Sequence, residues 1–361
     1  MKVLCWNIRG FGRPGRRRQL IDFLRQKAID IVGLQETIRQ DFRILELPRL
    51  SRHQFAWQWL PASGNSGGIL LGVREDAFRV DDMDRGEFFV NMSILDRRTH
   101  LSWEVIIIYG SADHARSADF LTELKNKVER CSTPVVVVGD FNLIRWDSDK
   151  SSSNVDRGCM CMFNDYIADL ALREIARLGA RFTWTNKQAD PIRRVLDRVF
   201  VSPQWVIMFP LSSLKAVTRI GSDHTPLLFL SGDGEAPRSG RFRFETFMLD
   251  QMGFCYEGLG ANLGADLRAR KGVLLDQIQV LDNLADGPGL SPDDWLRRYS
   301  LEASLMSIYE SEELFWQRRG GQNLLLKGDE NTAYFQAIAN GRRKKCAISF
   351  LWDRETLLES H

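Results

Sequence analysis

Up to about residue 231, short β-branched apolar runs alternate with segments of helical period, the pattern of an α/β fold. Residues 2–6, 29–34, 68–73, 105–108, 135–138, 182–185, 194–201 and 227–230 read as strands. Between them, Leu20, Leu24 and Ala28 share one helical face, as do Phe120, Leu121, Leu124 and Val128, and then Phe163, Tyr166, Ile167 and Leu170. Helices are few beside the strands, so a plain βαβ alternation does not account for the pattern. The expected architecture is a four-layer α/β sandwich, two packed β-sheets flanked by helices.

The texture changes after Leu230. "SGDGEAPRSGR" has no apolar period and is rich in Gly, Pro and Ser, which marks a linker. The expected organisation is a catalytic domain over 1–231, a linker over 232–246 and a mostly helical C-terminal extension over 247–361. In the extension, Pro292 and Asp293 precede a segment over 295–319 with Leu301, Leu305, Ile308, Glu312 and Phe315 along one side, and a second segment over 332–340 stops at Gly341. This tail carries little core of its own and needs a partner to order it.

Composition narrows the class without naming the chemistry. The chain has 361 residues, 44% of them hydrophobic, with ten Trp and 21 Phe, enough for a sizeable core. A net charge of +2 neither demands nor excludes nucleic acid, so that question falls to local clusters. The cysteines at 5, 131, 159, 161, 255 and 346 are scattered, and the close pair Cys159 and Cys161 has no second pair and no nearby histidine in sequence. Reduced thiols in an intracellular protein are expected. No apolar run approaches the length of a membrane span, and no signal peptide or anchor is expected.

The candidate chemistry lies where strands end. Asn7 follows "KVLCW", Glu36 follows "IDIVGLQ", Tyr109 follows "VIII", and Asp140 and Asn142 follow "VVVV". Ligand sites of α/β sheets form outside the carboxyl ends of strands, where loops diverge from a rigid base. Asp197 lies in the apolar stretch "RRVLDRVFVS", and Asp223 and His224 precede the last strand. A charged residue in a strand needs a partner, and His224 is the natural one for Asp197: the carboxylate fixes one imidazole nitrogen and leaves the other facing outward. If Glu36, Asp140, Asp197 and Asp223 converge, their mutual repulsion calls for a cation. An oxygen-rich donor set suits Mg²⁺ or Mn²⁺ rather than zinc, and a hard cation beside a carboxylate base and a histidine suits hydrolysis of a phosphate ester. Singly, each residue reads as a turn or core-edge residue; their conjunction argues for a site.

The segments "CWNIRG", "LQET", "IIIYG", "GDFN", "FTWTN", "LDRVFVS" and "GSDHTP", in that order, resemble the endonuclease/exonuclease/phosphatase superfamily. The chain is most similar to the apurinic-type endonuclease domain of LINE-type non-LTR retrotransposon polyproteins, particularly plant ones. "RFRFETFMLD" and "LLKGDENTAYFQAIANGRRKKCAIS" resemble the segment joining that domain to the reverse transcriptase, and no aromatic-x-Asp-Asp polymerase signature follows.

The resemblance implies Glu36 as metal ligand with help from Asn7, Asp140 as general base, and Asn142 orienting water or phosphate. Tyr109 would contact the phosphate or the leaving group. His224, oriented by Asp197, would stabilise the pentacoordinate phosphorus, and Asp223 would sit near the metal or the leaving oxygen. Some superfamily members have a second histidine where this chain has Tyr109, which favours the apurinic-like subgroup.

DNA is the expected partner, with Arg9, Arg13, Arg16 and Trp184 as candidate contacts. Arg13, Arg16, Arg17 and Arg18 equally suit a solvated helix start, and Trp184 suits packing on the inner sheet face better than stacking on DNA. The "GRRKK" stretch over 341–345 reads as a nuclear-localisation or nucleic-acid patch, or as a cationic helix end. The reading is a DNA endonuclease; the alternatives are a phosphomonoesterase acting on inositol phosphate or lipid headgroups, and an inactive nucleic-acid-binding remnant.

Overall fold

In the computed structural model, residues 1–43, 46–64, 66–232, 259–320, 350–353 and 356–359 are described. The expected linker, save Gly232, the helix over 332–340 and the "GRRKK" stretch lie outside them. In chain order the elements are β1 (Lys2–Asn7), α1 (Arg16–Lys27), β2 (Ile31–Gln35), β3 (Phe55–Ser63), β4 (Ser66–Arg74), β5 (Phe78–Arg85), β6 (Phe89–Asp96) and β7 (Ser102–Tyr109). Then come α2 (Ser117–Arg130), β8 (Val135–Asp140), α3 (Arg157–Asp169), β9 (Arg173–Glu174), β10 (Arg177–Leu178), β11 (Trp184–Thr185), β12 (Arg193–Arg194) and β13 (Asp197–Val201). The remainder is α4 (Pro203–Met208), β14 (Ser213–Ala216), β15 (Leu227–Leu230), α5 (Leu259–Asp286), α6 (Pro292–Gly320), β16 (Phe350–Asp353) and β17 (Thr356–Glu359).

Two mixed sheets pack face to face. One runs β10-β14-β15-β1-β2-β4-β3 and the other β5-β6-β7-β8-β13-β9, with β1 parallel to β2 and β7 parallel to β8. Alternation along β8 shows how the layers are built. Val136 and Val138 enter the core between the sheets with Val3, Cys5, Ile31 and Ile107, while Val135 and Val137 face outward under α2 and α3 with Phe120, Leu124 and Phe163. On the far side Leu4, Trp6, Val32 and Leu34 meet Leu20, Ile21 and Leu24 of α1. The result is the four-layer α/β sandwich expected. The sheets approach closely enough that a Cβ on Gly33 would lie 2.5 Å from Ile107 Cδ1.

The strands that the sequence did not suggest are β3, β5, β6 and β14, with the short β9, β10, β16 and β17. In β5 every residue from Asp81 to Arg85 is exposed, so this edge strand carries charge rather than an apolar run. The expected strand over 194–201 divides at Val195 and Leu196 into β12 and β13, which belong to different sheets. Ala28 is not part of the α1 face: it adopts φ 50° and closes the helix.

The helical extension has its partner within the same chain. α5 and α6 form a hairpin whose Ile278, Leu305 and Tyr309 enclose Ile220 of the sandwich in a small core. No helix among the described residues is long and apolar enough to cross a membrane.

Candidate active site

β1, β2, β7 and β8 all finish at one edge of the sandwich. β13 starts there, because it runs antiparallel to β8 and pairs Asp197 with Asp140. Tyr109 is the register partner of Asp140 across β7 and β8, and Asn7 pairs with Gln35, the residue before Glu36. The chain turns sharply just past the strands: Glu36 has φ 47° and Asn142 φ 52°, left-handed conformations that non-glycine residues adopt at a cost and that cluster at functional sites.

Asn7 is the hub. Its fully buried amide donates to Glu36 Oε1 at 3.1 Å and to Asp140 Oδ2 at 3.0 Å, and lies 3.3 Å from His224 Nε2. The two amide hydrogens are used by the two carboxylates, so His224 Nε2 is left to face Asp140 Oδ2 at 3.6 Å. On the other side of the ring, His224 Nδ1 lies 2.9 Å from Asp197 Oδ2, the pairing expected from the sequence. Tyr109 donates its hydroxyl to Glu36 Oε1 at 2.8 Å. Asn142 donates its backbone N–H to Asp140 Oδ1 at 2.9 Å, and its amide to the Gly110 carbonyl at 2.8 Å.

Asp223 stands to one side. It accepts from Trp184 Nε1 at 3.1 Å and pairs with Arg9 Nη1 at 3.1 Å, while Arg9 Nε lies 3.5 Å from Glu36 Oε2. Arg9 thus bridges the two carboxylates that the sequence reading gave jointly to a metal.

Burial and charge set the protonation states. Burial pushes the Asp140 carboxyl up to about 7, with the neighbouring Asp197 adding to the rise and His224 opposing it. Burial alone would lower His224, but Asp197 and Asp140 outweigh it and raise the imidazole to about 10. Burial also raises Tyr109 far above the usual phenol, helped by Glu36 and Asp140, which keeps its hydroxyl a donor. His224 is therefore an imidazolium held between two buried carboxylates.

A divalent cation fits this donor set. Glu36, Asp140 and His224 each offer a ligand atom within 4.8 Å of the others. The imidazolium is occupied by Asp197. Asn7 turns its N–H groups to the carboxylates while its amide oxygen accepts from the Arg9 backbone N–H, so Asn7 orients the ligands rather than being the ligand the sequence suggested. The carboxylate oxygens of Glu36 and Asp140 form the hard-oxygen set. Glu36, Asp140, Asp197 and Asp223 gather four carboxylates around Arg9 and His224, a concentration of negative charge that a cation would offset. Arg9 has a side chain 44% exposed and is free to swing aside.

The remaining sequence candidates divide. Arg13 is exposed near the site, but Arg16 is not available to DNA: it is buried, donates to the Ile220 carbonyl, and has its pKa lowered to about 10 by burial. Arg17 and Arg18 pair with Glu313 and Glu312 of α6. Trp184 is half-buried with Arg194 over its ring and fixes Asp223, so neither inner-sheet packing nor a free stacking face describes it. Cys159 does have a histidine beside it in space: His114, Asp156 and Cys159 converge from separate segments.

Two positioning residues escaped the sequence reading. Ser222 Oγ donates to the Asn7 carbonyl at 2.7 Å and accepts from the His224 backbone N–H at 3.1 Å. Thr183 Oγ1 accepts from the backbone N–H groups of Leu196 and Asp197. Both lie inside "GSDHTP" and "FTWTN", but a hydroxyl that aims backbone gives no periodic signal.

A family model described as the Endonuclease/Exonuclease/phosphatase family matches residues 4–224. The chain belongs to that family. Similar solved structures include a 3′-5′ exonuclease from Neisseria meningitidis, 18% identical with TM-score 0.52, covering 64% of this chain and 99% of that one. A 3′ phosphatase from Neisseria bound to a product DNA hairpin is 17% identical with TM-score 0.51, covering 64% and 98%. An apurinic endonuclease from Archaeoglobus fulgidus is 14% identical with TM-score 0.51, also covering 64% and 98%. At these identities the likeness shows the fold alone. A search of curated proteins finds no match to this family member.

Proposed function

We propose that this hydrolase is a divalent-metal-dependent DNA endonuclease, which nicks one strand and leaves a 3′-hydroxyl that in an intact retroelement primes reverse transcription. The observation that carries the reading is the buried Asn7 amide, which joins Glu36, Asp140 and His224 in one constellation with Asp197 behind the histidine. The order of motifs resembling a LINE-type endonuclease supports the substrate, as does the DNA hairpin bound to one structural neighbour.

Glu36, with Asp140 beside it and the Asn7 amide orienting both, would hold Mg²⁺ or Mn²⁺, which when bound supplies charge neutralisation at the phosphate. Asp140, with its pKa near neutral, takes the proton from the attacking water. The Asn142 backbone N–H holds one oxygen of that carboxylate and the Asn7 amide the other, so its orientation is fixed. His224, kept cationic by Asp197, places an imidazolium beside the phosphoryl oxygens on which negative charge grows. Tyr109 gives its one hydroxyl hydrogen to Glu36 and stays protonated, which keeps that ligand oriented. Asp223, tied to Trp184 and Arg9, stands at the edge where the leaving group departs.

A phosphomonoesterase would need a basic pocket after β2; Arg39 in that segment is paired with Glu46. The reading is tested with supercoiled plasmid: Mg²⁺-dependent conversion to open circles, abolished by EDTA, is expected. Release of inorganic phosphate from inositol phosphates with intact plasmid would favour the monoesterase instead.

A further inference from the structure

α6 presents Arg298, Glu302, Leu305 and Tyr309 at helical spacing on the side facing the sandwich, and all four are buried. Glu302 Oε1 accepts from the Gly221 backbone N–H at 2.6 Å and from Lys187 Nζ at 2.6 Å, and that same Nζ donates to the Gly221 carbonyl at 3.2 Å. Arg298, pinned by Asp282 of α5 and by Glu302, donates Nη2 to the Arg219 carbonyl at 2.7 Å. Ile220 lies between these two anchors, with its side chain in the hairpin core and its carbonyl accepting from Arg16 and Gln19. Three consecutive backbone units are thus fixed, two of them by α6 side chains.

The next residues are the catalytic loop. Ser222 ties the Asn7 carbonyl to the His224 N–H, and Asp223 and Thr225 join the β11 segment through backbone bonds to Thr185 and Thr183. Gly221 has φ 75°, a turn that few side chains tolerate, and a Cβ there would collide with the Arg16 guanidinium. A turn of this shape is set by what grips its peptide groups.

We infer that Glu302 is a positioning residue for the catalytic loop, so that the α5–α6 hairpin is an integral part of the active unit rather than a tether. An ionic cluster of the buried Glu302, Arg298 and Arg219 with the half-buried Lys187 adds little to stability over an apolar equivalent, because desolvation offsets the attraction. What an apolar contact cannot do is accept the Gly221 N–H. Asn7, Asp140 and Asp197 are held by strands, whereas Ser222, Asp223 and His224 sit on a loop whose entry is fixed by another structural unit.

The kinetic arm of the test rests on the nuclease reading; a hydrogen-exchange arm does not. In the full chain, Glu302→Ala is compared with Glu302→Gln, whose amide oxygen can still accept from Gly221. Lys271→Met is the control: it breaks another of the hairpin's ionic anchors, at Asp22 and Glu312, without touching the loop. Glu302→Ala is expected to speed amide exchange at Gly221, Ser222 and Asp223 and to lower kcat for nicking about tenfold to a hundredfold, with KM within about twofold. Glu302→Gln should restore most of both, and Lys271→Met should lower the Tm while leaving loop exchange and kcat as in the wild type. Unchanged loop exchange in Glu302→Ala overturns the inference, as does an equal kcat loss in Lys271→Met, or faster exchange with full kcat. If the wild type does not nick DNA, the nuclease reading falls and loop exchange alone decides the positioning role.

Discussion

Asp140 and Asp197 are direct register partners across β8 and β13, and both carboxylates fall on the same imidazole, that of His224. Like charges placed opposite each other across a strand pair repel, and here both are buried, so the pair is tenable only with a cation between them. The imidazolium is that cation. It converts a structural problem at the end of the second sheet into an acid–base device.

The first consequence is a histidine that stays charged under alkaline conditions. In chelator-treated protein, nitrogen-detected NMR should show both His224 ring nitrogens protonated at about pH 8, since its pKa is raised to about 10 from an unfolded value of about 6.5. A group whose pKa is raised by folding gives stability that is complete below its unfolded pKa and fades as pH rises through the folded one. The Tm should therefore decline between about pH 6.5 and 10 more steeply in the wild type than in Asp197→Asn. A neutral His224 ring at pH 8 would refute the charge assignment.

Glu36 has the Tyr109 hydroxyl and the Asn7 amide on one oxygen, which pre-aims the other. Glu36→Gln should weaken Mg²⁺ binding in calorimetry by about tenfold or more, and Tyr109→Phe, which removes only the orienting hydroxyl, by about tenfold. Equal affinity in all three proteins would place the metal elsewhere.

Gly139 sits one residue before the proposed base, where a Cβ would run into the Ile108 carbonyl oxygen on β7. Gly139→Ala should destabilise the fold by about 3 kcal/mol or more in urea denaturation. Gly272, in mid-α5 with open space around it, is the converse case: Gly272→Ala should stabilise by up to about 1 kcal/mol. A harmless Gly139→Ala would mean that the tip of β8 is not the rigid post described.

What was legible in the sequence follows from what leaves a pattern there. Apolar strands such as β1, β8 and β15 announce themselves, and polar residues at strand ends stand out against them, which is why Asn7, Glu36, Tyr109, Asp140, Asp197 and His224, which the structure brings together, could be singled out. Edge strands such as β5 carry exposed charge and have no such contrast. Ser222 and Thr183 act through single hydroxyl-to-backbone bonds, which any turn serine or strand threonine could make. Arg16 looked like a phosphate ligand because a basic run beside the site does not reveal that a helical hairpin covers it. Long-range partners such as Glu302 and Gly221, 81 residues apart, leave no local trace at all.

The most direct test of the account compares the wild type with Asp140→Asn and His224→Ala for nicking supercoiled plasmid, in Mg²⁺ and in EDTA. Asp140→Asn keeps the shape and removes the base; His224→Ala removes the imidazolium. The account predicts Mg²⁺-dependent nicking by the wild type and a loss of about a hundredfold to ten-thousandfold in each variant, with folding intact by circular dichroism. Nicking at wild-type rate by either folded variant would contradict it.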